Sequence, residues 1–361
     1  MADYPSNIRK VTNKKRVERL MRSVISDLEL DLTDITVLTE AASGPFAVTP
    51  LIAGLSGSPH VVAIAKDSPH GSALEVIKYI REWAIELGVE DRIEFSTKPC
   101  QSFGHSINIV TNLGFVRPIN AQLIENLPKD SVIAFMREPW EFREGDIDIE
   151  ACQKNMISVL GTDESHPRLQ IFKYVGVLAL KLLLETDLEI FGSRILILSS
   201  DPFGDEVEKT LSANNATVIR IKPTEGWETK ISEIKNTLPN IDAVVVAEYS
   251  KKIPLIAEKQ GLPISWLAEY NIPVIHICGS VDSNALASMG VIKNPSRNVP
   301  EGFMTLTTDY VGPRPVIDLH SGSLKACEVF VRNIREGSNP ETAIAKAVES
   351  GLALNLNLKR S

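Results

Sequence analysis

The sequence predicts an α/β fold with two parallel β-sheets. Short apolar, β-branched segments alternate with amphipathic helical segments along most of the chain, which is the pattern of strands covered by helices on both faces. Residues 137–166 are charged, aromatic and irregular, and they separate two such series. The length of 361 residues also suits two domains of about 100–200 residues each.

The first series follows a basic helical segment at 13–29. We therefore assign residues 1–30 to an N-terminal basic helix and 31–165 to an α/β domain that we expect to bind the substrate. Its clearest element is the amphipathic segment 72–88, which ends at Gly88 as many helices do. The other predicted helices cover 46–57 and 120–127, and the predicted strands cover 35–39, 60–68, 92–95, 106–112 and 131–136.

The second series begins with a long, nearly apolar helix at 167–186, a type that is usually buried between layers or domains. Residues 302–320 are predicted to begin as a strand and to turn at Pro313 and Pro315. We assign 166–320 to a second domain, which we expect to hold a cofactor. Its predicted strands cover 194–200, 216–222, 242–250 and 273–279, and the predicted helices of this half cover 205–214, 227–238, 264–270, 323–336 and 341–351.

The composition excludes several classes of protein. With 43% hydrophobic and 23% charged residues the chain matches globular proteins. The formal net charge of -8 argues against nucleic acid as a partner, since phosphate binding requires clustered Lys and Arg. No apolar run reaches the roughly 18 residues of a membrane span, and the N-terminus lacks the apolar segment of a secretory signal. The four cysteines form no C-x-x-C pair, so we expect a reduced, cytoplasmic protein without a disulfide framework or a metal site.

The most specific local signal is the segment 194–207, RILILSSDPFGDEV, which combines a buried strand, a tight turn and the start of a helix. In a dinucleotide site this turn reads G-x-G-x-x-G, and the matching positions here are Ser199, Asp201 and Gly204. Asp201 places a side chain and a negative charge where the backbone would approach a pyrophosphate. Its carboxylate can instead act as an N-cap. The turn is thus either a cofactor site or a Rossmann-like turn with lost or altered nucleotide binding.

The following strand bears on which cofactor the turn would bind. In NAD sites an acidic residue about 20 positions further on binds the ribose hydroxyls, whereas this strand ends with Arg220 and Lys222. A basic pair there suits the 2′-phosphate of NADP, and two solvated charges at a strand end are the alternative. The residues predicted to contact NAD or NADP are Ser199, Ser200, Asp201, Gly204, Arg220, Lys222, Glu248, Cys278 and Gly279.

The order of these elements resembles the two-domain formate/glycerate dehydrogenase and S-adenosylhomocysteine hydrolase group. The helix 167–186, the strand–turn–helix 194–214 and the helix 323–336 carry the resemblance, which covers most of the chain from about residue 35. It implies a flavodoxin-like first domain, a Rossmann-like cofactor domain and an interdomain cleft. It also implies that the C-terminal helices at 321–361 return to the first domain. The only motif behind it is the degenerate loop at 199–204.

Ligands of open α/β sheets bind beyond the carboxyl ends of the strands. In the first domain this rule selects Glu40 as a candidate catalytic group, because it follows a predicted strand. The small residues of the loop 39–45 can present backbone N–H groups to an anion, and a tight turn capped by Ser43 is the alternative. The candidate substrate-binding residues of this domain are Ser43, Gly44, Asn112 and Arg137.

Two histidines are candidate catalytic acid–base groups, and surface or capping imidazoles are the alternative for both. His166 precedes the long helix, in GTDESHP, and His320 follows Asp318 by two residues in DLHSGSLK. On a strand this spacing puts Asp318 and His320 on one face, and on a helix it does not. Arg314 lies between two prolines, where a rigid guanidinium suits a carboxylate or phosphate of the substrate, and a salt bridge to Asp309 or Asp318 is the alternative.

Two functions follow from these observations. The first is an NAD(P)-linked oxidoreductase of small-molecule biosynthesis, acting on a small polar, anionic metabolite in an interdomain cleft. The second is a Rossmann-like protein without dinucleotide binding, either a non-redox lyase or transferase on a nucleotide or sugar derivative or a non-catalytic partner protein. A methyltransferase-like first domain is a third interpretation, from E-x-x-x-G at 40–44 and Asp67. The apolar C-terminal helices also offer a homodimer interface.

Overall fold

The computed structural model describes residues 8–224 and 227–356. The chain divides into two compact units, of which the first comprises Met1–Leu169 with Gly312–Ser361 and the second is Gln170–Val311. The predicted domain boundaries lay nearby, after residue 165 and after residue 320. Across the described ranges no helix combines the length and the apolar character needed to cross a membrane.

The first unit is built on a seven-stranded sheet. Its strands are β1 (Val37–Glu40), β2 (Val61–Ile64), β3 (Ile93–Ser96), β4 (Ile109–Thr111), β5 (Val132–Phe135), β6 (Ser158–Thr162) and β14 (Ala353–Asn355). Its helices are α1 (Lys14–Asp27), α2 (Val48–Leu55), α3 (Ala73–Leu87), α4 (Ala121–Ile124), α5 (Ile149–Asn155), α11 (Arg314–Arg335) and α12 (Pro340–Glu349). Every residue of β1, β2 and β5 is buried, as expected for parallel strands between two layers of helices.

The strand order of this sheet identifies where a ligand would bind. Strands β1 to β6 run parallel in the order β6-β5-β4-β1-β2-β3, and β14 pairs antiparallel with β6. Read from the other edge, this is the order 3-2-1-4-5-6 of dinucleotide-binding sheets. The order reverses between β1 and β4, and the crevice beyond the carboxyl ends of those two strands is the usual ligand position.

A buried carboxylate holds the long helix α11 to the first unit. Glu328 is 4% exposed and accepts hydrogen bonds from the backbone N–H of Asp31 at 3.0 Å and from the side chains of Lys325 and Arg332 at 3.0 and 3.2 Å. Arg332 also pairs with the Asp31 carboxylate at 2.9 Å. These bonds join α11 to the loop after α1. The return of the C-terminal helix to the first unit, which the resemblance implied, is therefore confirmed.

The second unit carries a five-stranded sheet and a separate two-stranded one. Its strands are β7 (Arg194–Leu198), β8 (Thr217–Ile221), β9 (Ala243–Ala247), β10 (Pro254–Ile256), β11 (Val274–Cys278), β12 (Ser280–Val281) and β13 (Lys293–Asn294). Its helices are α6 (Lys173–Leu184), α7 (Pro202–Ala213), α8 (Trp227–Ile234), α9 (Ile264–Glu269) and α10 (Ser283–Ser288). Helices α6 and α7 approach closely because Gly176 has no side chain: a Cβ there would lie 2.1 Å from Thr210 Oγ1.

The main sheet of the second unit has the order β13-β11-β9-β7-β8, which corresponds to the flavodoxin-like order 2-1-3-4-5. Its reversal lies between β7 and β9. The predicted α/β class with two parallel sheets is confirmed. The two strand orders, however, fall the other way round from those that the resemblance implied, since the dinucleotide order belongs to the first unit.

Two segments of the chain differ from the secondary structure predicted for them. The prediction of a strand at the start of 302–320 is wrong, because no strand occurs there and α11 already begins at Arg314. Pro313 and Pro315 start this helix rather than a turn, since proline is tolerated in a first helical turn. The irregular segment 137–166 contains the short elements α5 and β6, so the first sheet extends through it.

Candidate functional site

The turn after β7 is closed by the carboxylate of Asp201, which caps α7. Its Oδ1 accepts the backbone N–H of Phe203 at 3.0 Å and the hydroxyl of Ser199 at 3.1 Å. Its Oδ2 accepts the backbone N–H groups of Tyr249 at 2.6 Å and Ser250 at 3.3 Å. The side chain is 6% exposed, and burial raises the pKa of Asp201 although these hydrogen bonds lower it. Of the two interpretations of this residue, the N-cap is the one found.

Glu248 closes the neighbouring turn, after β9, in the same way. Its side chain is fully buried, and its Oε2 accepts both the backbone N–H and the hydroxyl of Ser200, the latter at 2.7 Å. Its Oε1 accepts the backbone N–H groups of Ser250 at 3.1 Å and Lys251 at 2.9 Å. Two carboxylates therefore take the backbone donors at this edge of the sheet, namely those of Ser200, Phe203, Tyr249, Ser250 and Lys251.

Arg220, in β8, donates hydrogen bonds to the backbone of the same turn. Its Nε donates to the carbonyl oxygen of Ser199 at 2.9 Å and its Nη2 to that of Asp201 at 3.0 Å. Its Nη1 pairs with Asp205 and, at 3.3 Å, with Glu208. The side chain is only 6% exposed, so these contacts occupy the guanidinium. Of the basic pair that the sequence offered to a 2′-phosphate, Lys222 alone is exposed.

The residues at this edge do not fit a bound dinucleotide. A pyrophosphate binds where backbone N–H groups at a helix N-terminus are available, and here Asp201 already accepts that of Phe203. Gly204 does keep the packing role of the third glycine, since a Cβ there would lie 2.4 Å from Ser199 Oγ. Cys278 is buried, and a Cβ at Gly279 would lie 3.0 Å from the carbonyl oxygen of Glu248. The predicted contact residues thus pack against one another.

Glu40 lies at the point where the first sheet reverses its order. It ends β1, and its Oε2 accepts the backbone N–H of Phe115, in the turn after β4, at 3.0 Å. A Cβ at Gly114 would lie 3.4 Å from Glu40 Oε2 and 4.0 Å from Arg117 Nη2, so the guanidinium is near the carboxylate. Burial raises the pKa of Glu40, and the Phe115 N–H and Arg117 lower it. A buried carboxylate thus joins the two strand ends of the crevice.

Asn112 and Arg137 meet at the adjacent strand ends. The Asn112 Oδ1 accepts the backbone N–H of Met136 at 2.9 Å, which fixes the amide beside Arg137. The Asn112 Nδ2, the Arg137 Nη1 and the Arg117 Nε are buried donors with no hydrogen-bond partner in the described part of the chain. Burial lowers the pKa of Arg137, the nearby Arg143 and Arg117 lower it further, and the charges of Glu141 and Asp146 raise it. Three arginines therefore lie close together at this edge, with carboxylates near them.

Carboxylates of the segment after β5 and of the turn after β6 adjoin the arginines. Glu138 Oε1 accepts the backbone N–H of Glu164 at 2.8 Å. Burial raises the pKa of Glu138 to about 7, and the charges of Asp163 and Glu141 act in the same direction. The pKa of Glu164 lies well above its usual value, first because of burial and then because of Glu141 and Glu138. This edge therefore holds ionisable groups with perturbed pKa values, as functional sites commonly do.

The loop 41–45 is predicted to bind an anion or to be capped by Ser43, and in the structure it contacts the N-terminal segment. The backbone N–H of Gly44, at φ +64, donates to the carbonyl oxygen of Arg9 at 2.8 Å. Ser43 precedes a short 3-10 helix but makes no side-chain capping bond. Asp67 accepts the backbone N–H of Ala73 at 2.8 Å, at the start of α3. The N-terminal segment thus uses the Gly44 N–H group.

The two candidate histidines and Arg314 each have a partner in the structure. His320 is buried within α11, and its Nδ1 is 2.7 Å from Thr49 Oγ1. Arg314 pairs with Asp318 at 3.1 Å across one helical turn, which is the salt bridge offered as the alternative. Of the two arrangements considered for Asp318 and His320, the helical one is found, and on a helix a two-residue spacing does not put them on one face. The Nδ1 of His166 accepts the backbone N–H of Arg168 at 3.2 Å, and a Cβ at Gly351 would lie 3.0 Å from its Nε2.

The strand-end rule finds part of the first unit's site. It selects Glu40, Asn112 and Arg137, which lie along one edge of the sheet. It misses Arg117 and Arg143, because both occupy loops whose path the sequence pattern does not specify. No group of three or more His, Cys, Asp or Glu in the described ranges is arranged to hold a metal ion.

The comparisons with known proteins bear on the fold. No protein-family model matches the chain, and no curated protein matches it by sequence. A dipicolinate synthase chain from Bacillus subtilis has a TM-score of 0.54 at 10% identity, over 85% of this chain and 99% of that chain. Its counterpart in the dipicolinate synthase of Bacillus halodurans has a TM-score of 0.50 at 12% identity, over 81% and 96%. At this level of identity the likeness concerns the fold alone, and it confirms the two-domain Rossmann-like fold that the resemblance implied.

Proposed function

We propose that this protein acts on a small anionic metabolite without a dinucleotide at the carboxyl edge of its second sheet. It is then a non-redox enzyme, a lyase or transferase on a nucleotide or sugar derivative, or a non-catalytic partner protein. The observation that carries the proposal is the pair of buried carboxylates, Asp201 and Glu248, that accept the backbone donors of both turns.

Energetics favour this interpretation over a dinucleotide that displaces the carboxylates. A hydrogen bond to a charged group contributes about 1.5–3 kcal/mol, and each carboxylate here accepts four. A pyrophosphate at this edge would also meet two like charges in a poorly solvated place. Its binding would have to offset both effects.

The first unit is the part that we assign to the ligand. Its strand order places a crevice between β1 and β4, at Glu40, and its edge carries buried donors at Asn112 and Arg137. Buried donors without partners are rare in proteins and call for a ligand or an ordered water. A purely structural role would not explain why several of them share one sheet edge.

The NAD(P)-linked oxidoreductase is the second candidate. The fold likeness to the dehydrogenase group supports it, and so does the strand order of the first sheet, which is of the dinucleotide-binding type. In this candidate the dinucleotide would bind beside Glu40 rather than at 199–204. The two dipicolinate synthase structures are named for a synthase, which agrees with the biosynthetic role expected from the sequence.

Titration with NADH and NADPH to millimolar concentration, followed by nicotinamide fluorescence, tests the proposal. We expect no saturable binding by the unmodified protein, and a gain of binding in Asp201→Gly or Glu248→Gln. The exposed Glu301→Gln is the control for loss of one negative charge in the same unit. If the unmodified protein binds a dinucleotide tightly and Glu40→Gln abolishes the binding, the oxidoreductase is favoured. If only Gly204→Val abolishes it, the dinucleotide binds at the second sheet, and the proposal is contradicted.

A further inference from the structure

The edge of the first sheet contains a half-buried arginine, Arg137, whose Nη1 atom is buried without a hydrogen-bond partner in the described part of the chain. Arg137 lies two residues after β5, and none of the ion pairs of the described residues includes its guanidinium. Asp146 acts on Arg137 through its charge but is bound by Arg117 at 2.6 Å. Buried donors are nearly always hydrogen-bonded, so the unpartnered Nη1 of Arg137 calls for a ligand group or an ordered water.

The neighbouring carboxyl groups of Glu141, Asp146 and Glu164 act on Arg137 through their charge, but within the described ranges none forms an ion pair with it. Burial, and then the charges of Glu141 and Glu138, raise the pKa of Glu164 well above its usual value, although Arg137 lowers it. Glu138 receives the Glu164 backbone N–H, and its pKa of about 7 leaves it only partly ionised. Three guanidinium groups, of Arg117, Arg137 and Arg143, thus lie near carboxyl groups, two of which, Glu138 and Glu164, have pKa values raised by burial.

Asn112, Arg117 and Arg137 each have a buried donor atom without a hydrogen-bond partner among residues 8–224 and 227–356. The Met136 N–H donates to Asn112 Oδ1, and this bond identifies the oxygen end of the side-chain amide. The other end, Asn112 Nδ2, is a buried donor without a partner among the described residues. The Arg117 Nε is a second such donor, while its Nη1 is anchored by Asp146. A planar guanidinium flanked by further N–H donors matches the oxygens of a carboxylate or phosphate.

We infer that Arg137, with Arg117 and Asn112, binds the anionic group of a small ligand, a carboxylate or a phosphate, at the carboxyl edge of the first sheet. The inference deepens the proposed function and rests on it for its biological meaning, because it locates the negative group of the metabolite. Asn112 acts as a neutral donor there, and Arg137 carries the compensating charge.

The test measures anion binding directly. Sodium phosphate and sodium malonate are titrated into the full chain by calorimetry, and thermal unfolding is followed in parallel, with sodium chloride at matched ionic strength as the reference. We expect saturable binding of at least one of the two anions. Whichever binds more tightly identifies the ligand group as a phosphate or a carboxylate.

Variants then place the site. Arg137→Gln is expected to weaken binding at least tenfold, and Arg137→Lys to weaken it less, since a charge remains without the planar fork. Asn112→Asp keeps the acceptor for the Met136 N–H but replaces a donor by a negative charge, so it too should weaken binding at least tenfold. The Asn112→Asp variant provides an independent test of the site if the Arg137 variants fail to fold. The exposed Arg194→Gln, in the second unit, is the matched control and should bind as the unmodified protein does.

The inference fails if neither anion binds saturably, or if binding survives both Arg137→Gln and Asn112→Asp. Either result would mean that ordered water satisfies these donors. The proposed function is judged by the dinucleotide titration instead, so the two can fail separately. Loss of anion binding in Arg194→Gln alone would likewise overturn the assignment.

Discussion

The Asp201 carboxylate accepts the backbone N–H of Tyr249 at 2.6 Å, and this bond ties together the two strand ends between which the second sheet reverses its order. In sheets of this class a ligand occupies that position. Here one side chain spans it, caps α7 with its other oxygen and is itself buried. In the second unit, a side chain of the protein thus occupies the place between β7 and β9 where a ligand would bind.

The first prediction concerns the stability that Asp201 provides. Asp201→Ala removes an N-cap and leaves the Tyr249 N–H without its acceptor, while the Ser250 N–H keeps its bond to Glu248, so we expect a loss of roughly 2–4 kcal/mol in the free energy of unfolding. Asp282→Ala is the matched control, because Asp282 is an exposed N-cap that accepts only the Ala285 N–H. It should lose about 1 kcal/mol. Chemical denaturation measures both values.

Hydrogen exchange localises this effect. Peptides covering the turn after β7 and the turn after β9 should both exchange faster in Asp201→Ala, because the carboxylate bonds to both. Equal losses of stability in Asp201→Ala and Asp282→Ala would contradict the bridging role of Asp201.

The second prediction concerns the contact between Gly204 and Ser199. In Gly204→Ala the new Cβ would lie 2.4 Å from Ser199 Oγ and 2.5 Å from Ser199 Cβ, so we expect a loss of roughly 1–3 kcal/mol from overpacking. Adding Ser199→Gly removes both clashing atoms and should restore part of the loss. Gly114→Ala, whose nearest contact would be 3.4 Å, is the control. Thermal unfolding of the four proteins checks this, and a harmless Gly204→Ala would refute the close packing.

The sequence predicts the elements of this fold better than their arrangement. Segment 72–88 carries its own signals, since the Ser72–Glu75 capping box starts α3 and Gly88 ends it. The order of strands in a sheet depends on contacts distant in the chain, and no local pattern distinguishes the two doubly wound orders. This is why the dinucleotide order was expected in the second unit and lies in the first.

The same limit applies to the candidate sites. Asp201 could be identified from its position in a degenerate loop, because the alternatives of cap and cofactor contact are both local. Glu248 is predicted to contact a cofactor, and in the structure it accepts the Ser200 hydroxyl instead. No local pattern could predict this bond, because the two residues lie 48 positions apart in the chain. Arg117 could not be selected from the sequence, because it sits in a loop and reaches the site only through the fold.

The third prediction concerns pH and Glu138. Burial raises its pKa from 4.5 to about 7, so the folded protein binds a proton more tightly than the unfolded chain does. Stability should therefore fall as pH rises from about 4.5 through about 7. Glu138→Gln keeps an acceptor for the Glu164 N–H and removes the titration, so it should be more stable than the unmodified protein at pH 8 by roughly 1–3 kcal/mol.

Thermal unfolding between pH 5 and pH 8 distinguishes this effect from a general change of charge. The exposed Glu125→Gln, in the same unit, removes one negative charge without any buried bond and should follow the profile of the unmodified protein. Parallel profiles for Glu138→Gln and the unmodified protein would show that Glu138 titrates normally.

The fourth prediction concerns acid and His320. Burial lowers its pKa from 6.5 to about 3, so the unfolded chain binds the proton more tightly than the folded one. Stability should fall below pH 6.5, by about 1.4 kcal/mol for each pH unit. His320→Asn can keep the bond to Thr49 and should reduce the loss of stability at low pH. The control is His60→Asn, at a partly exposed histidine that contacts Glu94, and it should leave this loss unchanged. Unfolding in denaturant at pH 4 to 7 measures both slopes. A loss of stability at low pH that persists in His320→Asn would be assigned to other groups.

The last prediction concerns the ligand-free protein and Arg137. Burial disfavours the charged form of its guanidinium, and one of its donors, Nη1, has no hydrogen-bond partner in the described part of the chain, so replacing it by an apolar chain of similar length removes an unfavourable desolvation. Arg137→Met should then raise the free energy of unfolding by roughly 1–4 kcal/mol in phosphate-free buffer, whereas the exposed Arg194→Met should change it by less than about 0.5 kcal/mol. Adding phosphate or malonate should stabilise the unmodified protein and leave Arg137→Met unaffected, so the difference between them shrinks as the anion saturates. A residue that stabilised the fold through an ion pair would behave in the opposite way, since Arg137→Met would then lose stability in every buffer. A gain without anion that disappears with it is expected only if Arg137 is kept for a ligand.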